Sequence, residues 1–261
     1  MKIKTRPNPS LYPEMSPEMQ LLITEAYTLF LRPVGRFLTD VCTNCCVSEE
    51  NEQLLVSTPV NQLSEDLIYE YLDAAYTDQR TNEIAHFLPR VLELLAMHKN
   101  IRHSTENILD KCHFELPHWS APQLEFMQRF SKQFMTDILV HSPYQTRLAS
   151  AMTYILMFNI SGISVTHLLS LWQEMMLHHC PTALEHFESL LYYGGNYGDY
   201  SDVFSVNPDF NNEVMEWIND RQLAENLLPL VEKYYFENTQ LSEEMRYRWD
   251  LFYIFLDGNK K

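Results

Sequence analysis

Apolar residues recur along this chain at intervals of three and four, the spacing that lines one face of an α-helix. Leu21, Leu22, Ala26, Leu29 and Phe30 form the first such face. It follows Ser16-Pro17-Glu18, which supplies an N-cap, a proline at the first helical position and an early acid. The run stops near Pro33-Val34-Gly35. The same opening recurs down the chain. Ser48 precedes Glu49-Glu50 and Leu54-Leu55, and Ser64-Glu65-Asp66 opens a run to Tyr76. Thr81-Asn82-Glu83 opens another through Met97, in which Pro89 is expected to start a fresh segment. Ser104-Thr105-Glu106 opens the next, and Ser120-Ala121-Pro122 a long one to about His141. Further helices are expected over residues 144–158, 165–178, 181–193, 208–219, 222–238 and 242–256.

No run alternates apolar and polar residues between turns, and six glycines are few for a fold built on β-turns. Tyr192-Tyr193-Gly194-Gly195-Asn196-Tyr197 has the make-up of a hairpin, but Gly194 stands where a left-handed cap ends a helix. The expected fold is therefore all-α: an irregular stack of about a dozen helices, α-solenoid-like or a multi-helix bundle, with no fixed-period repeat. Its expected organisation is an extended arm (1–15), an N-terminal helical body (16–193), a loop (194–207) and a C-terminal helical unit (208–261) packed on the body.

Charge narrows the partners. Nineteen Lys and Arg against 35 Asp and Glu leave a formal net charge of −16. That repels phosphate backbones and favours solubility and basic protein partners, so no nucleic-acid partner is expected. The start, Met-Lys-Ile-Lys-Thr-Arg, is basic without an apolar core, so it does not read as a signal peptide. The most apolar stretch, residues 152–160, is too short to span a bilayer, so no membrane contact is expected. Five cysteines are an odd number that suggests no disulfide framework. A cytoplasmic location with free thiols is the expectation.

The distinctive local pattern is Cys42-Thr43-Asn44-Cys45-Cys46. Cys-x-x-Cys is half of a tetrahedral zinc site, because two thiolates at that spacing grip one ion from a turn. Cys46 is a third candidate ligand, and Cys112 and His113, with His118 nearby, are the best remaining ones. A redox pair ahead of the helix capped by Ser48 is a second reading, although the βαβ context of that chemistry is missing. Small packing residues at a helix junction are a third. Zinc is the cofactor that the first reading implies, and no other cofactor is expected.

The run Cys42-x-x-Cys45-Cys46, then Leu54-Leu55, Pro59-Val60, Leu63, Tyr71 and Ala74-Ala75, then His86-Phe87-Leu88-Pro89-Arg90-Val91-Leu92-Glu93-Leu94, resembles a group of uncharacterised bacterial proteins. These share a Cys-x-x-Cys-Cys start and a Phe-Leu-Pro-Arg-Leu-Leu-Glu-Leu-like helix. The resemblance covers residues 40 to 97 and implies no activity, so it assigns no catalytic residue. Thr77-Asp78-Gln79 stands where such proteins often carry a Thr-Thr-Trp-Gly-like turn.

No nucleophile elbow, phosphate-cradling glycine loop or paired-histidine zincin helix is present. Glu83-Ile84-Ala85-His86 has the spacing of di-iron carboxylate bundles, but Pro117 interrupts the second such motif, Glu115-x-x-His118. His178, His179 and Cys180 end a helix before Pro181, where imidazoles suit the negative end of the helix dipole. Arg90 is expected to pair with Glu83 or Glu93. Tyr192, Tyr193, Tyr197 and Tyr200 surround Asp199 and Asp202 in the glycine-rich loop. That composition suits docking on a basic partner, or tyrosines folded back on the body. The sequence thus favours a non-enzymatic, acidic cytosolic binding protein, of the immunity or antitoxin type that occupies a basic partner. The alternative is a metal-binding protein centred on Cys42, Cys45 and Cys46.

Overall fold

The computed structural model describes residues 11–77, 82–178, 180–194, 197, 200–202, 204–205, 208–239 and 241–259. These hold eleven α-helices and no strand, and the chain is all-α as its periodicity predicts. Val41 and Tyr76 make a lone antiparallel bridge among the described residues. No helix among them is long and apolar enough to cross a membrane.

Helices α1 (Pro17–Leu29), α2 (Glu49–Ser57) and α3 (Glu65–Asp73) each begin where a serine side chain accepts a backbone N–H of the first turn. Ser16 accepts from Met19, Ser48 from Asn51 and Ser64 from Leu67. Each bond satisfies one of the donors that a helix start leaves free. Next come α4 (Ile84–Ala96), α5 (Ala121–Leu139) and α6 (Ala151–Ile160). The rest are α7 (Thr166–Leu177), α8 (Pro181–Tyr193), α9 (Pro208–Ile218), α10 (Arg221–Glu237) and α11 (Glu243–Asn259).

Three expected boundaries are corrected. Pro89 does not start a new segment, because α4 runs through it. Phe87, Leu88, Val91 and Leu92 are fully buried on either side, and that packing outweighs the missing N–H. Residues 104–107 make a single 3₁₀ turn, Thr105–Asn107, rather than a helix. Arg102 holds it by donating to Asn107 O and pairing with Asp110. Helix α6 starts at Ala151 instead of residue 144, because Ser142 and Tyr144 are already engaged by α8. Ser142 Oγ donates to Glu185 Oε2 (2.5 Å), and Tyr144 Oη donates to Glu188. Of the two partners expected for Arg90, the structure selects Glu93, at 2.5 Å.

Helix α5 is the hub, packing against α1, α6, α7 and α8. Its Phe126, Phe130 and Phe134 form a ladder with centroids 6.2 and 6.0 Å apart. Phe30 from α1 and Tyr154 from α6 meet that ladder edge-on, at 5.4 and 5.0 Å. One apolar core extends from Met19 to Leu256. A helix touching four others is bundle packing, whereas solenoid repeats touch only their neighbours. Helices α10 and α11 pair closely, with α10 set on α7 and α11 on α8.

A buried ion pair ties α11 to α8. Arg248 Nε and Nη2 donate to Glu188 at 2.9 and 2.6 Å, and the two side chains are 3% and 0% exposed. After α6, Gly162 turns the chain at φ 89°, and a Cβ there would lie 2.0 Å from Glu115 Oε2. Only glycine fits this left-handed position.

Candidate metal centre

The cysteine turn is held by carboxylates on both sides. Upstream, Leu38 N–H donates to Glu52 Oε1 (2.8 Å) and Thr39 N–H to Glu83 Oε1 (2.9 Å). Asp40 Oδ2 accepts from Glu83 N–H at 2.8 Å. Glu52, Glu83 and Asp40 are all buried. Downstream, Ser48 N–H donates to Glu70 Oε1 (3.1 Å), and Asn51 donates its amide to the other oxygen. Between these anchors, Cys42 N–H donates to Ala75 O at 2.8 Å and Thr77 N–H to Asp40 O at 3.1 Å. The backbone from 38 to 48 is thus fixed by α2, α3 and the start of α4, and the thiols are left free.

That backbone brings three sulfurs together. Cys42 Sγ lies 3.5 Å from Cys45 Sγ, and Cys45 Sγ 3.7 Å from Cys46 Sγ. All three fall within 4.8 Å of one another. Zinc–sulfur bonds of about 2.3 Å in a tetrahedron give sulfur–sulfur edges of about 3.8 Å. The observed spacings match that edge. Cys45 is exposed, and Cys42 and Cys46 are half-buried, so the cluster is open to solvent.

The thiols are not equivalent. Backbone N–H of Cys45, then its side chain, then the N–H of Asn44 stabilise the Cys42 thiolate and push its pKa down to about 7. Cys45 is pushed up to about 11, because its thiol is held in hydrogen bonds, first with Cys42 and then with Cys46. One thiol of the pair is therefore partly ionised near neutral pH, and the other keeps its proton.

Cys46 also forms one wall of a cleft of about 420 Å³, whose other lining includes Asp66, Tyr69, Glu70 and Asp73 of α3. Cations are drawn to such a mouth. Sequence reasoning missed this cleft, although Asp66, Glu70 and Asp73 recur at the spacing of one helix face. Behind the turn, buried Lys111 donates to Ala74 O (2.7 Å), with Nζ 3.8 Å from the Tyr76 ring centre. Burial pushes its amine down to about 8, against the pull of Asp110.

Two predicted ligands do not join the three. Cys112 is enclosed in the core, where burial pushes its thiol well up, and its carbonyl accepts Trp119 Nε1 at 2.9 Å. His113 sits in a left-handed turn with Nδ1 3.1 Å from Glu115 Oε1. His86, the other half of the Glu83 motif, is engaged through Nδ1 with Arg32 O at 2.5 Å. Asp78 and Gln79 lie outside the described residues.

The predicted docking residues do not share one exposed face. Tyr200 is 3% exposed against Phe210, so it belongs to the core. Tyr192 packs on the Arg248 guanidinium, 4.4 Å from its ring centre. Tyr193 is exposed, and its hydroxyl accepts from Arg248 Nη1 at 3.2 Å. Tyr197 is half-buried against Phe255. Asp202 Oδ1 accepts Phe204 N–H at 2.9 Å, and Asp199 lies outside the described residues. Arg248 thus holds Tyr192 and Tyr193, whereas Tyr197 and Tyr200 pack on Phe255 and Phe210.

Comparison with protein-family models, with curated proteins and with solved structures finds no match, so the chemistry of this site is read from its own residues.

Proposed function

We propose that this protein binds a thiophilic divalent cation, zinc in the first instance, through Cys42, Cys45 and Cys46. The sulfur–sulfur spacing of 3.5 and 3.7 Å on a backbone pinned from both sides carries this reading. Three thiolates supply the soft donors that zinc prefers. A three-ligand set leaves one position open beside the cleft of Asp66, Glu70 and Asp73. Such a site takes up an ion and presents it to water or to a further ligand. In protein purified under reducing conditions without chelator, elemental analysis is expected to find one zinc per chain. Cys45→Ser is expected to lose the metal while keeping its helical circular dichroism, because Cys45 is exposed and the turn is held by other residues. A chain that emerges metal-free and does not retain added zinc through desalting sinks the proposal.

A second reading rests on a different surface. An acidic protein of the immunity or antitoxin type contacts a basic partner, and the groove between α10 and α11 suits that contact better than the tyrosine loop. The groove, about 240 Å³, is lined by Tyr235, Phe236, Trp249 and Tyr253 together with Glu232 and Asp250. Phe236 is 76% exposed. Aromatic faces beside carboxylates favour lysine and arginine side chains. An arginine-rich peptide followed by fluorescence anisotropy is expected to bind at least ten-fold more weakly to a Glu232→Gln/Asp250→Asn variant. Equal binding by both proteins would place any affinity in general acidity and remove the groove from this reading.

A further inference from the structure

The negative charge is uneven over the cavities. The cleft beside the cysteines carries Asp66, Glu70 and Asp73, and the α10–α11 groove carries Glu232 and Asp250. A third cavity, of about 300 Å³, has no carboxylate in its lining. Its polar wall includes Tyr12, His98, Lys99, Asn100, Arg147 and Tyr154. In a chain of net charge −16, a cationic hollow is a local exception.

His98 is the informative residue. It follows the last turn of α4 at φ 55°, in the left-handed region. His98 N–H donates to Leu95 O (2.9 Å) and Lys99 N–H to Leu94 O (2.9 Å). That is the Schellman closure of a helix, and its left-handed position usually belongs to glycine. A histidine there accepts backbone strain that glycine would avoid. Its ring stacks on Tyr12, with centroids 6.3 Å apart at 20°, and leans on Phe134. Nδ1 is buried and has no hydrogen-bond partner. Burial, with His141 nearby, pushes the imidazole down to about 4, so the ring is neutral at physiological pH. A strained backbone at a residue that lines a cavity, with a buried polar atom left unpaired, is a common mark of a functional site.

The two cations complete the picture. Arg147 is anchored by its own backbone, whose N–H donates to Leu11 O at 3.1 Å. Its guanidinium makes no ion pair among the described residues. Lys99 Nζ lies 3.5 Å from Glu65, and both side chains are exposed enough for the amine to turn to another anion.

We propose that this cavity binds a small organic oxyanion, a phosphate or carboxylate carried on one flat ring. The charged head lies between Lys99 and Arg147, and the ring rests against Tyr12 and Tyr154. His98 supplies a hydrogen bond. The volume is at the small end of ligand cavities, about 300–1,000 Å³, and holds one ring with its head group. This site is independent of the cysteine centre.

Phenyl phosphate, titrated by calorimetry at low salt, tests the proposal, with inorganic phosphate and phenol as its separate halves. Phenyl phosphate is expected to bind at least ten-fold more tightly than either half. Benzoate, run alongside, identifies the preferred head group. Binding of either aromatic anion supports the site, and binding of neither at millimolar concentration overturns it. Arg147→Ala is expected to weaken binding at least ten-fold with an unchanged Tm, because the side chain is exposed. His98→Gly relieves the left-handed backbone while losing the ring contacts, so Tm stays within a few degrees as binding falls several-fold. Undiminished affinity in either variant overturns the assignment.

Discussion

Replacing Arg248 with methionine is expected to lower the stability of the fold by about 3–5 kcal/mol, the usual cost of breaking a buried ion pair. Glu188 is fully enclosed, and two of its hydrogen bonds come from this guanidinium, at 2.9 and 2.6 Å. Without Arg248 the carboxylate keeps, among the described residues, the hydroxyl of Tyr144. It must then take up a proton or draw in water, and either costs stability. In a chain of this length each kcal/mol corresponds to about 2–4 °C, so Tm is expected to fall by about 10 °C. Tyr192 and Tyr193 should loosen as well, because their rings sit 4.4 and 4.7 Å from the guanidinium carbon. An Arg248→Met/Glu188→Leu double variant should recover most of the loss, since an apolar pair no longer has to be desolvated as ions. Chemical denaturation of the two variants decides the matter. A single variant that loses less than about 1 kcal/mol would mean that α11 is held to α8 by its apolar contacts alone.

Zinc uptake is expected to release nearly one proton fewer at pH 8.5 than at pH 6, and that difference belongs to the Cys42–Cys45 pair, whose first proton leaves near pH 7. Metal competes with protons for each thiolate, so affinity rises with pH as long as a ligand remains protonated. Cys42, with its pKa near 7, is mostly a thiol at pH 6 and mostly a thiolate at pH 8.5. Cys45, near 11, still carries its proton at both values and must release it on binding. The logarithm of the affinity should therefore climb more steeply below pH 7 than above it, by about one additional factor of ten per pH unit. Calorimetry in buffers of differing ionisation enthalpy counts the protons directly. Cys42→Ser and Cys45→Ser should each shift the break near pH 7, because each removes one partner of the pair. The same proton count at both pH values would contradict a thiolate shared by Cys42 and Cys45 near neutrality.

The local part of the candidate site was legible in the sequence. Cys-x-x-Cys-Cys marked the three thiols that converge, and Ser48 marked the helix that follows them. The remaining proposed ligands were not legible. Cys112 and His113 had suitable chemistry, but the core and Trp119 enclose the first, and a left-handed turn beside Glu115 takes the second. Tyr192 and Tyr193 had a suitable composition for docking, yet both rest on Arg248, far along the chain.

Helix starts at Ser16, Ser48, Ser64 and Ser120 were determined by the sequence alone, because a cap is a bond between residues three apart. The all-α class followed from the same short-range periodicity. Tertiary structure decided where those signals fail. Ser142 serves Glu185, 43 residues away, and so α6 waits for Ser150. Arg248 meets Glu188 across 60 residues, and Tyr192 and Tyr193 rest on its guanidinium. Local hydrogen bonds are set by neighbours in the chain, whereas buried charges are set by whichever partners the packed helices bring into reach.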